Sequence, residues 1–387
     1  MKIGIITLWQ SNDNYGQILQ CYALQQQLIK LKHEPYLIRY DIEHRFEKKK
    51  IPLWKKLLKA LLIYPVIKLL KLRRQKQEDK KIKEYNILRN RERDFENFRN
   101  KYILVSDKVY ANLQHLQLSP PVADAYIVGS DQVWAHLLNK KENETMFLNF
   151  GNKNTKRIAY APSFSMPSYP KKLKKQLKEN LGRFNSLSVR EETGIKVCKE
   201  LGYDAQIVID PTMLIKREDY FKIASKDNCD TYIYLYYLNI SHSDEIEWKK
   251  LHEFAKNLNI KIIATPSSGY IQGKELFDDV EYKYATIPQW ISLITNAKLV
   301  ITTSFHGVAF CILHHTPFIY FLLKGKFARG NNRVISLCNM LGLSDRIWNN
   351  TSSFESLSKQ TIKWEKVDEK LNAYRSDSID FLNKSLS

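Results

Sequence analysis

The sequence lacks the marks of an exported protein. Its start, MKIGIITLWQSNDNYGQ, has one lysine and turns polar after a short apolar stretch, without the apolar core and cleavage site of a signal peptide. The cysteines are few, odd in number and scattered, and no CxxC pair suggests zinc or redox chemistry. We therefore expect a cytoplasmic protein without a metal site, in which all the cysteines are reduced: Cys21, Cys198, Cys229, Cys311 and Cys338.

Two phosphate-binding fingerprints are absent as well. Neither GxGxxG nor GxxxxGK[ST] occurs, so neither a nicotinamide cofactor nor a P-loop nucleotide is expected. Tracts of glycine and serine are also missing, and 22 tyrosines and 17 phenylalanines argue against general disorder. The 387 residues, of which 44% are hydrophobic, are enough to bury the cores of two ordinary domains.

Acidic residues are in deficit, and the formal net charge is +20. The excess is local, because residues 45–93 contain 18 Lys and Arg but 5 Asp and Glu, a net charge of +13 that leaves +7 for the rest of the chain. An acidic partner is therefore expected at this segment. Nucleic acid is not expected as that partner, since no helix-turn-helix, RNP or zinc-finger pattern occurs.

Within this segment, residues 52–71, PLWKKLLKALLIYPVIKLLK, have the pattern of an amphipathic helix. Trp54 and four leucines share one face, and Lys55, Lys56 and Lys59 share the other. The longest uncharged run, Ala60 to Ile67, has 8 residues, whereas a bilayer span needs about 20 apolar residues. Two interpretations stay open: residues 52–74 lie on an anionic membrane surface, or they form an insertion whose leucines pack on the parent domain.

The rest of the chain alternates between strand-like and helical patterns. One series of strands begins at Ile3–Leu8 and ends near Pro211, and a second runs from Tyr232–Leu238 to Phe318–Leu322. This alternation predicts an α/β protein with two doubly wound domains, whose parallel sheets face a central cleft. We assign residues 1–215, with a basic helical insertion at 45–100, to the first domain and 228–345 to the second, and we expect 346–387 to form a helical tail that packs back on the first.

Two loops of the first domain carry polar residues at predicted strand ends. In SNDNYGQ, at residues 11–17, the free N–H groups of a helix start favour an anion or a polar ligand, although a simple helix cap has the same pattern. In VGSDQVW, Asp131 either accepts a proton from a substrate hydroxyl or caps the next helix.

Further strand ends offer groups suited to an anionic substrate. In SVREETG, Arg190 either holds a carboxylate or phosphate through two nitrogens or pairs with a nearby Glu. In ITTSFHGV, His306 follows a hydroxyl-rich strand end, which indicates a general acid or a phosphate contact. Some members of a basic cluster after the next strand are expected to balance the substrate's charge: Lys324, Lys326, Arg329 and Arg333.

Six motifs occur in a characteristic order between about Lys2 and Gly342: NYGQILQCYAL, DAYIVGSDQVW, IAYAPSFS, SVREETG, IDPTML and ITTSFHGVAFCILHHTPFI. In these motifs the chain resembles the polysaccharide pyruvyl transferase family. The resemblance implies a GT-B-like pair of Rossmann-type domains, phosphoenolpyruvate as the donor and no required cofactor. It also implies that a pyruvate ketal forms on a hexose, commonly galactose, of a lipid-linked bacterial surface polysaccharide precursor.

The resemblance also implies roles for single residues. His306 matches the family's essential histidine and is expected to be the acid or a phosphate contact. Because ketal formation also needs a base to free the sugar hydroxyl, we expect Asp131 to take that role. Many members have an arginine where this chain has Ser304, so a nearby cation is expected to replace one anion contact. The donor is expected to contact Arg190, Ser304, Gly307, Lys324, Lys326 and Arg333, and the acceptor Asn14, Tyr15, Gln17 and Ser163.

Two other functions share part of this pattern. A nucleotide-sugar-dependent GT-B glycosyltransferase would have the same two-domain cleft, and a non-catalytic membrane scaffold would have the same basic helix. The scaffold leaves His306 and Arg190 unexplained. The pyruvyl transferase and the glycosyltransferase differ in their donor. Because a ligand that binds the native state raises the melting temperature, phosphoenolpyruvate or a nucleotide sugar should raise it, according to which enzyme the protein is.

Overall fold

The fold is taken from a computed structural model of the chain, which describes residues 1–40, 80, 84–135, 141–164, 166, 168–226, 231–267, 275–349 and 351–387. The predicted amphipathic segment, 52–74, lies outside the described residues, as does Cys229. No helix within the described ranges is long and apolar enough to cross a membrane. Four cysteines are free and buried: Cys21, Cys198, Cys311 and Cys338.

A seven-stranded sheet forms the first domain, with the strand order β3-β2-β1-β4-β5-β6-β7. All its neighbouring strands pair in parallel. Central strands such as AYIV of β4 are apolar throughout, because helices cover both faces of a parallel sheet. The strands are β1 Lys2–Ile6, β2 Glu34–Tyr40, β3 Val105–Tyr110, β4 Ala125–Val128, β5 Lys156–Ala159, β6 Ser186–Val189 and β7 Gln206–Ile207.

The second domain contains a five-stranded sheet, with the order β10-β9-β8-β11-β12 and parallel pairing throughout. Its strands are β8 Tyr232–Tyr237, β9 Lys261–Pro266, β10 Glu281–Tyr282, β11 Leu299–Thr302 and β12 Phe318–Tyr320. In both sheets the strand order reverses beside the first strand, at β1 and β4 and at β8 and β11. This is the GT-B-like pair of Rossmann-type domains that the sequence predicts.

Helices connect and cover the strands. They are α1 Tyr15–Lys30, α2 Phe95–Tyr102, α3 Leu113–Leu118, α4 Lys171–Leu181, α5 Glu192–Glu200, α6 Arg217–Phe221, α7 Trp248–Asn257, α8 Ile287–Thr295, α9 Phe305–His314, α10 Asn331–Leu341, α11 Phe354–Lys359 and α12 Trp364–Leu386. Residues 84–93 are helical as well. Two of these helices start at the cleft with a side-chain cap: Asn14 accepts from Gln17 at α1, and Ser304 accepts from Gly307 at α9.

The last helix, α12, packs on the first domain. Arg375 donates from Nε to the carbonyl oxygen of Met213 at 2.8 Å, and Ser378 Oγ accepts from the backbone N–H of Ile209 at 3.1 Å. The ring of Phe381 lies against that of Tyr160, with centroids 6.4 Å apart. The end of the chain therefore supports the loop that follows β7.

Tyr15 links the two domains at the start of α1. Its ring is fully buried and stacks on Trp290 of α8, with centroids 5.1 Å apart and planes at 11°. Its hydroxyl donates to the carbonyl oxygen of Ala285 at 2.6 Å. Burial raises the pKa of this hydroxyl to about 12, so it is a neutral donor at physiological pH. The first turn of α1 is thereby anchored in the second domain.

Residues 84–93 make a second link between the domains. The guanidinium of Arg89 lies over the rings of Tyr85 and Tyr284, 4.7 and 4.4 Å from their centroids. Arg93 donates from Nη2 to the carbonyl oxygen of Pro266 at 2.8 Å. The described part of the basic insertion thus contacts the second domain.

Candidate functional site

A cavity of about 530 Å³ lies where the carboxyl ends of the two sheets face each other. Residues that follow β1, β4, β8, β11 and β12 line it, as expected for a ligand site in open parallel sheets. Its polar lining includes Asn14, Gln17, Asp131, Asn239, Ser304, His306, Lys326, Arg329 and Arg333. Met166, Tyr169, Leu173, Leu323 and Phe327 contribute a more apolar wall.

His306 lies at the first turn of α9 and is 5% exposed. Its imidazole fits against Gly16 in the first turn of α1, where a Cβ atom would lie 1.9 Å from Nδ1. Its Nε2 atom is buried without a hydrogen-bond partner among the described residues, 3.7 Å from Oδ2 of Asp210. The histidine is therefore held between the two domains at the edge of the cavity.

Asp210 is almost completely enclosed, at 1% exposure. Its Oδ2 accepts from Arg190 Nη1 at 2.5 Å and from Ser130 Oγ at 2.9 Å. Its Oδ1 accepts from the N–H and the hydroxyl of Thr212 at 3.0 and 2.7 Å. Burial alone would raise the pKa of Asp210, but Arg190 and His306 hold that pKa well below its usual range. Asp210 is therefore an anion throughout the physiological range.

Arg190 follows β6 and is surrounded by carboxylates. Besides Asp210, it has Asp131 Oδ1 3.7 Å from Nη2 and Glu191 Oε2 4.0 Å from Nε. Burial disfavours its charge, but the three carboxylates raise the pKa of Arg190 above its ordinary value. Both Nε and Nη2 lack a hydrogen-bond partner in the described residues. Arg190 is thus a buried cation that retains donors.

Asp131 joins Arg190 to the cavity. Its Oδ1 is also 3.7 Å from Arg333 Nη1 of α10, and its Oδ2 accepts from Gln17 Nε2 at 3.4 Å. Its backbone has a φ of +73°, a conformation that Asp tolerates better than most residues and that occurs often at functional sites. One carboxylate therefore lies within reach of two guanidinium groups and an amide.

Phe305 lies between the same two arginines. Its ring centroid is 4.5 Å from Cζ of Arg190 and 5.8 Å from Cζ of Arg333. Burial and the charge of Arg190 lower the pKa of Arg333, although an arginine stays cationic at neutral pH. The cavity thus has one end where Arg333 lies at the wall, with Arg190 and its carboxylate partners directly behind it.

The structure brings eight of the sequence-predicted residues to the cavity wall: Asn14, Gln17, Asp131, Ser304, His306, Lys326, Arg329 and Arg333. Arg190 contacts Asp131 and Phe305, which line the wall, but its own side chain is only 2% exposed. Lys324 is exposed and is not part of the lining.

Three predicted contacts occupy other places. Tyr15 was expected to bind the acceptor, but its buried ring lies between the domains because a large aromatic packs best in their shared core. Gly307 was expected at the donor, but it packs against β11, where a Cβ would lie 2.5 Å from Thr302 Oγ1. Ser163, expected at the acceptor, donates from Oγ to Glu191 at 2.8 Å and is fully buried.

The sequence interpretation missed Asp210, Phe305 and Gly16 as members of the site. Asp210 lies in the motif IDPTML, and a buried carboxylate before Pro and Thr could have been suspected from that motif. Phe305 and Gly16 carry no polar group, and nothing in their local sequence shows that they adjoin the arginines and His306. No three His, Cys, Asp or Glu side chains within the described ranges are grouped so as to hold a metal ion.

Comparisons with known proteins identify one family. The profile described as polysaccharide pyruvyl transferase matches residues 14–324. No curated protein sequence matches the chain. Among solved structures, the chain is similar to a putative UDP-N-acetylglucosamine 2-epimerase from Listeria monocytogenes, with 11% identity, a TM-score of 0.46 and coverage of 97% of this chain and 90% of that one. It is also similar to MurG of Acinetobacter baumannii, with 9% identity, a TM-score of 0.39 and coverage of 99% of each chain.

Proposed function

Because the chain belongs to the polysaccharide pyruvyl transferase family, we propose that it transfers pyruvate from phosphoenolpyruvate to a hexose of a polysaccharide precursor. The product is a pyruvate ketal, and inorganic phosphate is released. The reaction needs no cofactor, because the donor's enol phosphate is already activated. Galactose, with its 4- and 6-hydroxyls, is the first acceptor to test.

The observation that carries this proposal is the placement of His306 at the cavity end where two arginine side chains lie. The imidazole lies at the cavity wall, with Arg333 at the same wall. Arg190 adjoins Phe305, the residue before His306. Phosphoenolpyruvate carries a carboxylate and a phosphate, and guanidinium groups bind both strongly. An imidazole next to such an anion site suits proton transfer to the bound donor.

The proposed reaction balances without any further reactant. An acid adds a proton to the methylene carbon of phosphoenolpyruvate, which becomes a methyl group, while an acceptor oxygen bonds to C2. The second hydroxyl oxygen then bonds to C2 as the bond from C2 to the phosphate oxygen breaks. Of the two hydroxyl protons, one restores the acid and the other leaves with the phosphate.

Within this scheme His306 is the acid and Asp131 the base that receives a hydroxyl proton. Both side chains line the cavity, so each is accessible to a bound substrate. Arg333 and Arg190 stabilise the departing phosphate or the donor carboxylate electrostatically. Lys326 and Arg329 lie at the same cavity and add positive charge. Asn14, Gln17 and Asn239 offer polar groups to the acceptor sugar.

The proposal for the acceptor extends to its lipid carrier. A lipid-linked precursor at the inner face of the plasma membrane suits the basic amphipathic pattern of residues 52–74. We expect vesicles with anionic lipid to bind the protein, and the triple change of Lys55, Lys56 and Lys59 to serine to reduce that binding. Serine at the exposed lysines of α7, Lys249, Lys250 and Lys256, is the control. Equal binding by both triple variants removes the membrane proposal.

The decisive experiment combines phosphate release with mass spectrometry. We expect phosphate release from phosphoenolpyruvate with a lipid-linked galactosyl acceptor, and a product heavier by one pyruvyl ketal. His306→Ala is expected to lower turnover by at least ~100-fold. The exposed His115, in α3, provides the control His115→Ala, which keeps full activity. Unchanged turnover of His306→Ala contradicts the assignment, and a melting temperature raised by a nucleotide sugar but not by phosphoenolpyruvate favours a glycosyltransferase instead.

A further inference from the structure

Asp210 is bound more tightly than a carboxylate at a helix cap requires. Thr212 satisfies its Oδ1 with two hydrogen bonds, which is the usual role of such a residue before a helical turn. Its Oδ2 serves a different set of groups: Arg190, Ser130 and the imidazole of His306. All of these contacts are buried. The carboxylate is therefore fixed in position before any substrate binds.

The two nitrogens of His306 have different surroundings. Nε2 is enclosed by protein, lacks a hydrogen-bond partner in the part of the chain that the structure describes, and faces Oδ2 of Asp210 at 3.7 Å. Nδ1 lies on the side of Gly16, where the absence of a Cβ leaves room for the ring. His306 lines the cavity. Because Nε2 is enclosed beside Asp210, Nδ1 is the nitrogen left for a substrate.

We propose that Asp210 is the positioning residue of His306: it accepts the Nε2–H, so that Nδ1 is the nitrogen that exchanges protons with the substrate. A carboxylate in this place selects one tautomer and stabilises the imidazolium. The distance of 3.7 Å is longer than a hydrogen bond, but such contacts often tighten when the substrate binds. Asp210 itself does not touch the substrate.

The chemical consequence rests on the proposed function. The proton on Nδ1 moves to the methylene carbon of phosphoenolpyruvate, and the proton on Nε2 stays between His306 and Asp210. An acceptor hydroxyl proton later returns to Nδ1, so Asp210 is unchanged after each turnover. The same carboxylate also binds Arg190, so its position couples the acid to the arginines at that end of the cavity.

The tautomer can be tested without any substrate. Nitrogen-15 NMR of the full chain with labelled histidine distinguishes Nδ1–H from Nε2–H, and the signals of His306 are assigned from their loss in His306→Ala. We expect the neutral form of His306 to carry its proton on Nε2. A proton on Nδ1, or an even mixture of the tautomers, overturns the proposal. This measurement uses the unaltered protein, so it holds even where a variant of Asp210 fails to fold.

A double-mutant cycle tests the effect on turnover. We expect Asp210→Asn to lower kcat at least ~10-fold with a KM for phosphoenolpyruvate within about threefold of the original. Asp210→Asn together with His306→Ala should be no slower than His306→Ala alone, because groups that act as a unit are not additive. Asp124→Asn is the matched control and should keep most of the activity, because that carboxylate accepts from the backbone N–H of Lys2 before β4 and does not line the cavity.

Two outcomes of the cycle overturn the proposal. If the fold-losses of turnover in the two single variants multiply in the double variant, Asp210 does not act through His306. If Asp210→Asn raises KM and leaves kcat unchanged, its role is confined to holding Arg190. A protein that releases no phosphate from phosphoenolpyruvate refutes the proposed function instead. In that case the NMR measurement is compared with that of Asp210→Asn: a changed tautomer of His306 supports the positioning role, and an unchanged tautomer overturns it.

Discussion

Gly16 and His306 contact each other across the domain boundary. A Cβ on Gly16 would lie 1.9 Å from Nδ1, 2.0 Å from Cγ and 2.6 Å from Cε1 of His306, so the imidazole occupies the space that any other residue would need. Gly16 belongs to the first turn of α1, and Tyr15 beside it is anchored in the second domain. The docking of the two domains therefore determines where the imidazole lies.

Gly16→Ala should destabilise the protein and impair catalysis. The added methyl overlaps the imidazole, and forcing extra atoms into a packed site typically costs about 1–3 kcal/mol. Because the ring has to move, we expect kcat to fall at least ~10-fold. Thermal unfolding and phosphate release measure the two effects.

The control for this prediction uses the same substitution in another background. In His306→Ala the imidazole is gone, so the methyl has room, and alanine is otherwise favoured over glycine in a helix by roughly 0.5–1 kcal/mol. Gly16→Ala should therefore cost little or no stability there. An equal loss of melting temperature in both backgrounds would show that the contact with His306 is not the cause.

Tyr15→Phe should destabilise the protein by about 1–3 kcal/mol. The substitution leaves the carbonyl oxygen of Ala285 without its donor in a buried interface. Tyr203→Phe is the matched control, because that hydroxyl donates to the carbonyl oxygen of Lys178 at an exposed position. We expect the control to cost less than about 0.5 kcal/mol. Comparable shifts in the thermal midpoint of both variants would contradict the role of Tyr15 as an anchor.

Arg333 and Arg329 should differ in their importance for the donor. Arg333 lies over Phe305 and 3.7 Å from Asp131, whereas the exposed Arg329 has neither contact. Arg333→Met is therefore expected to raise the KM for phosphoenolpyruvate by roughly 10-fold or more, the loss typical of a charge-assisted hydrogen bond. Arg329→Met should change KM less than about threefold. Steady-state phosphate release decides between them, and equal effects would point to a diffuse field in place of a specific contact.

The strands could be predicted from the sequence where both faces of the sheet are buried. Ala125–Val128 and Leu299–Thr302 are apolar runs ended by polar residues, and the structure has strands with these bounds. β3, VSDKVY, was not predicted because it lies at the edge of its sheet, with four of its six residues exposed, so charged and apolar residues mix. β10 has only two residues, which are too few to show the alternation or apolar run of a strand.

The site was predictable in part for a related reason. Asp131 and His306 follow strands, and the carboxyl ends of parallel strands gather at one edge, so their polar groups converge. Gly16 meets His306 only because two separate domains dock, a contact between residues far apart in the chain. Tyr15 lies between Asn14 and Gln17 at the start of α1, but successive helical residues point in different directions, so it enters the core while they face the cavity.

His314 should make the protein less stable in mild acid. It is buried near the end of α9, where its ring stacks on Phe310 and lies 5.3 Å from Phe221. Both ring nitrogens lack hydrogen-bond partners in the described residues, and burial lowers the pKa of His314 to about 4. An unfolded histidine has a pKa of about 6.5. The folded protein therefore keeps the ring neutral in a range where the unfolded chain takes up a proton.

The sign of the effect follows from this difference. The stability that depends on a neutral His314 is fully present above the pKa of the unfolded chain, near pH 6.5. It is lost as the pH falls toward about 4, and the free energy of unfolding decreases by up to ~3 kcal/mol. His314→Phe has no such proton and fits among aromatic neighbours, so it should lose less stability than the original protein over this range. Urea unfolding at several pH values measures the difference, with the exposed His115→Gln as a control that follows the original curve. If His314→Phe and the original protein lose stability in parallel from pH 6.5 to pH 4, another group is responsible for the acid sensitivity.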